Sequence, residues 1–273
     1  MSFDIVIPVG PKDEELVRNN IKCNKKNIVG YRNIYLISAI KDLTIDGCKV
    51  IYEDNVVPFK KDYIVKKHGK NEQWNGWYYQ QLIKLYVGFF IPELLDYYLV
   101  VDCDTFFIRK TEFFEKDTPL LNYSQEYHPP YFEQMKNMDS SLIKVLKNKS
   151  GICHHMMFQK KYVIEMMKSI AQIHKKEFFD VFLDSVPKDA VNKVAGASEY
   201  EIYFNYMLLN HPDKIKIRAI PFTNSDWVES YRRKKKIGFQ VPVNSFLSYV
   251  SFHWHVRNNS SSNALMKIIM NSL

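Results

Sequence analysis

The sequence predicts a mainly parallel α/β sheet flanked by helices, built as a single domain. Three observations predict it: β-rich runs alternate with helical stretches, one apolar strand stops abruptly at acidic residues, and there is apolar material for a large core. The chain has 273 residues, 46% of them hydrophobic and 25% charged. That balance is ordinary for a globular protein and excludes disordered, collagen-like and coiled-coil chains.

The first strand is Asp4 to Val9, a β-branched run closed by Pro8 and Gly10, and Glu14 to Asn20 reads as the helix after it. Asn33 to Ala39 and Lys49 to Glu53 read as two further strands, and Tyr97 to Ile108 as a buried strand broken by carboxylates. Between them, Trp74 to Phe90 has helical spacing, with Trp77, Gln81, Lys84 and Gly88 on one side. That side is polar, which a helix serving only to cover a sheet does not need. Glu112 to Asn148 shows no clean period and is read as loops and a helix over the sheet. Lys160 to Ile173 and Gly196 to Leu209 are expected helices, the second opened by a capping box, Ser198 with Glu201. A strand at Lys216 to Ile220, a basic loop at Tyr231 to Lys236 and a histidine-bearing strand around Phe252 to Val256 complete the reading.

The longest apolar stretch, Leu85 to Val101, is interrupted by Pro92, Glu93 and Asp96, so no transmembrane segment is expected. The N-terminus lacks the basic start and apolar run of a secretory signal, and a cytoplasmic location is expected. The four cysteines are scattered, without zinc-site spacing, and read as free thiols of a reducing compartment. Lysine and arginine exceed aspartate and glutamate, giving a formal charge of +8 that favours anionic ligands.

The sharpest chemical feature is Asp102-Cys103-Asp104 after the run Tyr98 to Val101. Two carboxylates at the end of a buried strand need compensating charge. A hard cation such as Mg²⁺ or Mn²⁺, bridging them to a diphosphate, supplies it. Open α/β sheets bind ligands outside the carboxyl ends of their strands, where Val9, Ser38, Asp54 and the aspartate pair converge. Gly10 has no dinucleotide or P-loop pattern around it, so phosphate must be held by metal and side chains.

Four segments in order carry a resemblance: IPV (Ile7 to Val9), GWYYQQLIKL (Gly76 to Leu85), VVDCDTFFI (Val100 to Ile108) and ASEYEIYFNY (Ala197 to Tyr206). With them the chain resembles GT-A-fold glycosyltransferases, Rossmann-like enzymes, and most of all compact bacterial and viral members. The likeness runs from residue 4 to about His255. It implies a nucleotide-binding half over about residues 1–110, an acceptor-binding half over about 111–260 and a tail over 261–273.

The resemblance implies transfer of a sugar from a nucleotide-diphosphate donor, most simply a UDP-sugar, to a hydroxyl of a glycan or glycoconjugate. Mn²⁺ or Mg²⁺ would be held by Asp102 and Asp104, with His253 or His255 as a late third ligand. Pro8, Val9, Ser38 and Asp54 would line the donor pocket, Gln80, Gln81 and Lys84 would meet the nucleotide and its phosphates, and Asp102 would face the ribose. Arg232 and Lys234 belong to a basic loop that could close over the diphosphate. His154 and His155 would hydrogen-bond sugar hydroxyls, with Asp226 and Trp227 as weaker acceptor contacts. The base of an inverting reaction would be Glu199 or Glu201, with Glu199 preferred because Glu201 has the capping role; in a retaining reaction, which the sequence leaves equally open, the same glutamate would position the sugar. Two alternatives stand beside this reading. A sugar nucleotidyltransferase should carry a glycine-rich loop after the first strand, which is lacking. A basic nucleic-acid-binding protein would leave the aspartate pair unexplained.

Overall fold

The structure is a computed structural model that describes residues 1–191, 193–224 and 246–253, together with Met266, Lys267 and Met270. It is a mixed α/β protein. The central sheet holds β1 (Phe3–Val9), β2 (Tyr31–Ser38), β3 (Lys49–Tyr52), β4 (Tyr97–Val101) and β8 (His155–Gln159) in the order β3-β2-β1-β4-β8. The pairs β1 with β2, β1 with β4 and β2 with β3 are parallel, while β8 runs antiparallel to β4. All residues of β1 are buried, which explains its apolar run from Ile5 to Val9: a central parallel strand has no solvent face.

The run read as one strand over Tyr97 to Ile108 is two. Asp102 to Thr105 makes a turn, with the Thr105 amide donating to the Asp102 carbonyl at 2.9 Å. Beyond it β5 (Thr105–Phe107) leaves the central sheet and joins β11 (Tyr249–Ser251) and β10 (Phe222–Asn224). The stretch expected as loops and a helix also holds strands. There β6 (Phe114–Glu115) and β7 (Thr118–Asn122) precede helix α4 (Pro129–Met138), and β7 pairs in parallel with β9 (Lys216–Arg218).

Helix α1 (Glu14–Asn27) packs on β5 in an unexpected way. Asn20 donates to the carbonyls of Cys103 (3.0 Å) and Thr105 (2.8 Å). Asn24 donates to the Thr105 carbonyl (3.2 Å) and accepts from the Phe107 amide (2.9 Å), and Asn27 donates to the Phe107 carbonyl (2.7 Å). Three buried asparagines on one helix face thus satisfy the edge of β5 that, among the described residues, has no strand beside it. They also pin the aspartate turn from behind.

Helix α3 (Glu72–Phe90) covers β1 and contacts α5 (Lys160–His174) and α7 (Glu199–Asn210). It opens on Asn71, whose side chain accepts from the Trp74 amide at 3.2 Å. Two shorter helices, α2 (Lys61–His68) and α6 (Phe178–Asp184), pack against α3 and α5 respectively. Among the described residues, no helix is long and apolar enough to cross a membrane.

Candidate functional site

Asp102 and Asp104 flank a turn at the carboxyl end of β4, beside β1, where the strand order reverses direction along the sheet. Polar side chains converge there from three other elements. From α3, Lys84 is 2% exposed and its Nζ lies 2.6 Å from Asp102 Oδ1 and 2.7 Å from Glu199 Oε1. From α7, the Tyr200 hydroxyl donates to Asp102 Oδ1 at 2.9 Å, and its ring lies 4.3 Å from the Lys84 ammonium. From the loop before β8, His154 Nδ1 stands 4.0 Å from Asp102 Oδ2.

Helix α7 supplies the second carboxylate through its first turn. Ser198 caps it, its hydroxyl accepting from the Glu201 amide at 3.3 Å. The Glu199 amide donates to Gln81 Oε1 at 3.3 Å and Trp77 Nε1 donates to the Ala197 carbonyl at 3.1 Å. The polar side of α3 is therefore spent on seating the start of α7. Glu199 is fully buried, one carboxylate oxygen on Lys84 and the other without a hydrogen-bond partner.

Burial pushes the Glu199 carboxyl up to about 7; Lys84 draws it back and Asp102 adds to the rise. For Lys84, burial opposes the charge, but Asp102 and Glu199 together outweigh it and hold the ammonium charged. His154 is pushed down to about 4, by burial and then by His253, so it is neutral near pH 7 and its approach to Asp102 is not an ion pair.

His154 occupies the left-handed region, φ 61°, a conformation that costs on the order of 1 kcal/mol for a side chain with a Cβ. Its carbonyl accepts from the Asp102 amide at 2.9 Å, which ties this bend to the aspartate turn. Gly151 opens the same loop and lies so close to α7 that a Cβ there would stand 2.5 Å from Phe204 Cβ and 2.8 Å from the Tyr200 carbonyl oxygen. The loop closes from the far side through β11. Its antiparallel register with β5 sets Ser251 opposite Thr105, the Phe252 amide donates to the Asp104 carbonyl at 2.9 Å, and the His253 ring centroid comes 5.0 Å from that of His154.

Asp102, Asp104, Lys84, Gln81, Glu199, His154 and His253 therefore gather in one place. Other expected site residues do not. Glu201 is buried in α7 with its carboxylate fully engaged: Oε1 accepts from Lys144 (3.2 Å) and Asn205 (3.0 Å), Oε2 from Ser150 Oγ (2.6 Å) and the Gly151 amide (2.7 Å). Its capping box is half-formed, because the carboxylate turns to that loop rather than back to Ser198. His155, expected beside a sugar, is instead a core residue of β8, packed on Phe107, Phe113 and Tyr249 and hydrogen-bonded to Asn122. Burial pushes it down to about 3, so it is a neutral packing group.

Pro8 and Val9 end β1 and are buried, while Ser38 exchanges both its hydroxyl bonds with the Ile40 backbone. Asp54 is exposed and accepts from the Tyr79 hydroxyl at 2.9 Å; Gln80 is half-buried. Arg232, Lys234, Asp226, Trp227 and His255 lie outside the described residues. The asparagines of α1 escaped the sequence reading; their signal is the four-and-three spacing of Asn20, Asn24 and Asn27 on one helix face.

Two surface clefts lie elsewhere. One of about 320 Å³ is bordered by Lys67, His68 and Asp184, and one of about 150 Å³ by Asp139, Ser169 and Tyr206. Among the described residues, no three His, Cys, Asp or Glu side chains are grouped closely enough to form a metal cage. The aspartate pair still has the hard oxygen donors that Mg²⁺ or Mn²⁺ prefers, and such ions commonly take one or two carboxylates and complete their shell with phosphate and water.

No curated protein matches the chain. A family model matches residues 28–224, a span that contains Lys84, Asp102, Asp104, His154 and Glu199, and the chain belongs to that family, DUF6492, a family of unknown function.

Proposed function

We propose that the chain is a metal-dependent glycosyltransferase of GT-A type, moving a sugar from a nucleotide-diphosphate donor, most simply a UDP-sugar, to a hydroxyl of a glycan or glycoconjugate. One observation carries the reading: an aspartate pair at the carboxyl end of β4, joined through Lys84 to a buried carboxylate with one oxygen still without a partner. The strand order, with antiparallel β8 beside β4, supports the GT-A assignment.

The residues fit a hard divalent ion, which Asp102 and Asp104 would hold with His253 close by. When bound, such an ion stabilises the charge that develops on the departing diphosphate. Lys84 keeps Asp102 and Glu199 at fixed positions and offsets their mutual repulsion. Tyr200 donates to the same Asp102 oxygen, Oδ1, as Lys84, so Oδ2 is the oxygen that these two groups do not use. In the transfer, the acceptor oxygen bonds to the anomeric carbon as the bond to the diphosphate breaks, and Glu199 Oε2 takes the hydroxyl proton. A carboxyl poised near 7 suits that task at neutral pH.

The test is calorimetric titration of UDP with and without Mn²⁺ on the wild type and on Asp104→Ala, followed by a screen of UDP-sugars for hydrolysis. The expected result is binding that requires the metal and weakens at least about tenfold in the variant, about 1.4 kcal/mol. Absence of UDP binding under either condition overturns the UDP assignment; failure of GDP and TDP as well overturns the transferase reading.

A further inference from the structure

The segment between β7 and α4 is anchored at several points yet presents an aromatic ring to solvent. Ser124 and Ser150 exchange backbone hydrogen bonds at 2.9 and 3.0 Å, the Glu126 amide donates to Ser124 Oγ at 3.1 Å, and His128 Nε2 lies 2.6 Å from the Ala195 carbonyl oxygen. Pro129 and Pro130 then start α4. On this fixed frame Tyr127 is 65% exposed, and its ring lies 5.0 Å from that of half-buried Phe132. The Lys144 ammonium stands 4.6 Å from the Phe132 ring on its way to Glu201.

This patch adjoins the carboxylate site. Ser150 leads directly into the Gly151 to His154 loop, and Glu126 stands within electrostatic reach of His253, whose ring neighbours His154. A large exposed tyrosine on a well-anchored loop offers contact area at little entropic cost. The surroundings indicate what would use it. An exposed ring, held from behind by a second ring tilted 52° to it and with the exposed Glu126 carboxylate next to it in the chain, suits a ligand with an apolar C–H face and hydroxyls around its edge.

We propose that the exposed ring of Tyr127, backed by Phe132, forms a saccharide platform, the acceptor subsite of the transfer, on which a pyranose stacks while Glu126 meets its hydroxyls. The proposal rests on the glycosyltransferase reading for its place in the reaction, but not for saccharide binding itself.

Saturation-transfer NMR on the full chain with cellotriose, chitotriose and maltotriose, for the wild type, Tyr127→Ala and Tyr127→Phe, provides the test. The exposure of Tyr127 means that neither variant should disturb folding, which circular dichroism checks. Transfer to ring C–H protons of at least one trisaccharide is expected in the wild type and in Tyr127→Phe, with affinity about tenfold weaker in Tyr127→Ala, about 1.4 kcal/mol. Transfer from none of the three, or equal transfer in Tyr127→Ala, overturns the platform. UDP titration with Mn²⁺ on the wild type reads the donor site separately: nucleotide binding without saccharide binding rejects the platform alone, and saccharide binding without nucleotide binding rejects the donor assignment alone.

Discussion

Glu199 and Glu201 stand two residues apart at the start of α7, both fully buried, yet their surroundings are opposite. Glu201 accepts from four donors and joins the helix to the loop around Ser150 and Gly151. Glu199 has one cation on one oxygen and nothing on the other, and burial leaves its carboxyl close to neutral pH. A buried carboxylate whose hydrogen bonds are complete holds structure together. One left incomplete is destabilising and points to chemistry. The same helix terminus thus carries a fully bonded carboxylate, the anchor, and one with an oxygen left without a partner, two residues apart.

The largest effect should come from breaking the anchor. Glu201→Ala leaves Lys144, Ser150, the Gly151 amide and Asn205 without their acceptor, and a loss of about 3–5 kcal/mol in denaturant unfolding is expected. If Glu201→Ala cost no more than Glu199→Ala, the distinction between the two would collapse.

The pH dependence of stability comes next. In the folded chain Glu199 is raised from 4.5 to about 7, so between those values the folded state keeps a proton that the unfolded state has lost. Its contribution is therefore fully present below about pH 4.5 and disappears as pH rises through about 7. Relative to Glu199→Gln, the metal-free wild type should lose stability on the order of 3 kcal/mol across that window. The same substitution should lower transfer about 10²–10⁴-fold. Parallel stability curves for the two proteins would show that Glu199 titrates normally.

The smallest effect sharpens the anchor. Gly151→Ala forces a methyl group against Phe204 and the Tyr200 carbonyl, and about 1–3 kcal/mol of destabilisation is expected. Measured in the Glu201→Ala background, the penalty should shrink, because the loop is no longer held against α7.

The contrast between the glutamates was only partly legible in the sequence. Ser198 with Glu201 correctly signals a helix start, but spacing alone does not show that the Glu201 side chain reaches a loop fifty residues earlier. The β-branched runs of β1 and β2 announce themselves, and so does the acidic stop after β4. By contrast, β8 is HMMFQ, without a β-branched residue, and only its pairing with β4 makes it a strand. The split between β4 and β5 was hidden because both halves are apolar, and the turn between them is specified by the asparagines of α1. Asparagine on a helix ordinarily reads as solvated surface. Here it does the work of a missing strand, a role that appears only once β5 lies alongside.

β11 also sets the order in which the protein becomes complete as it is made. Thr105 and Ser251, which meet at 2.9 Å across β5 and β11, are 146 positions apart in the chain. At roughly 5–20 residues per second, synthesis leaves an interval on the order of 10 s in which the aspartate turn exists without the strand that brings His253 to it. The nascent chain can thus bury most of its central sheet before the strand that completes the surroundings of the aspartate turn has been made.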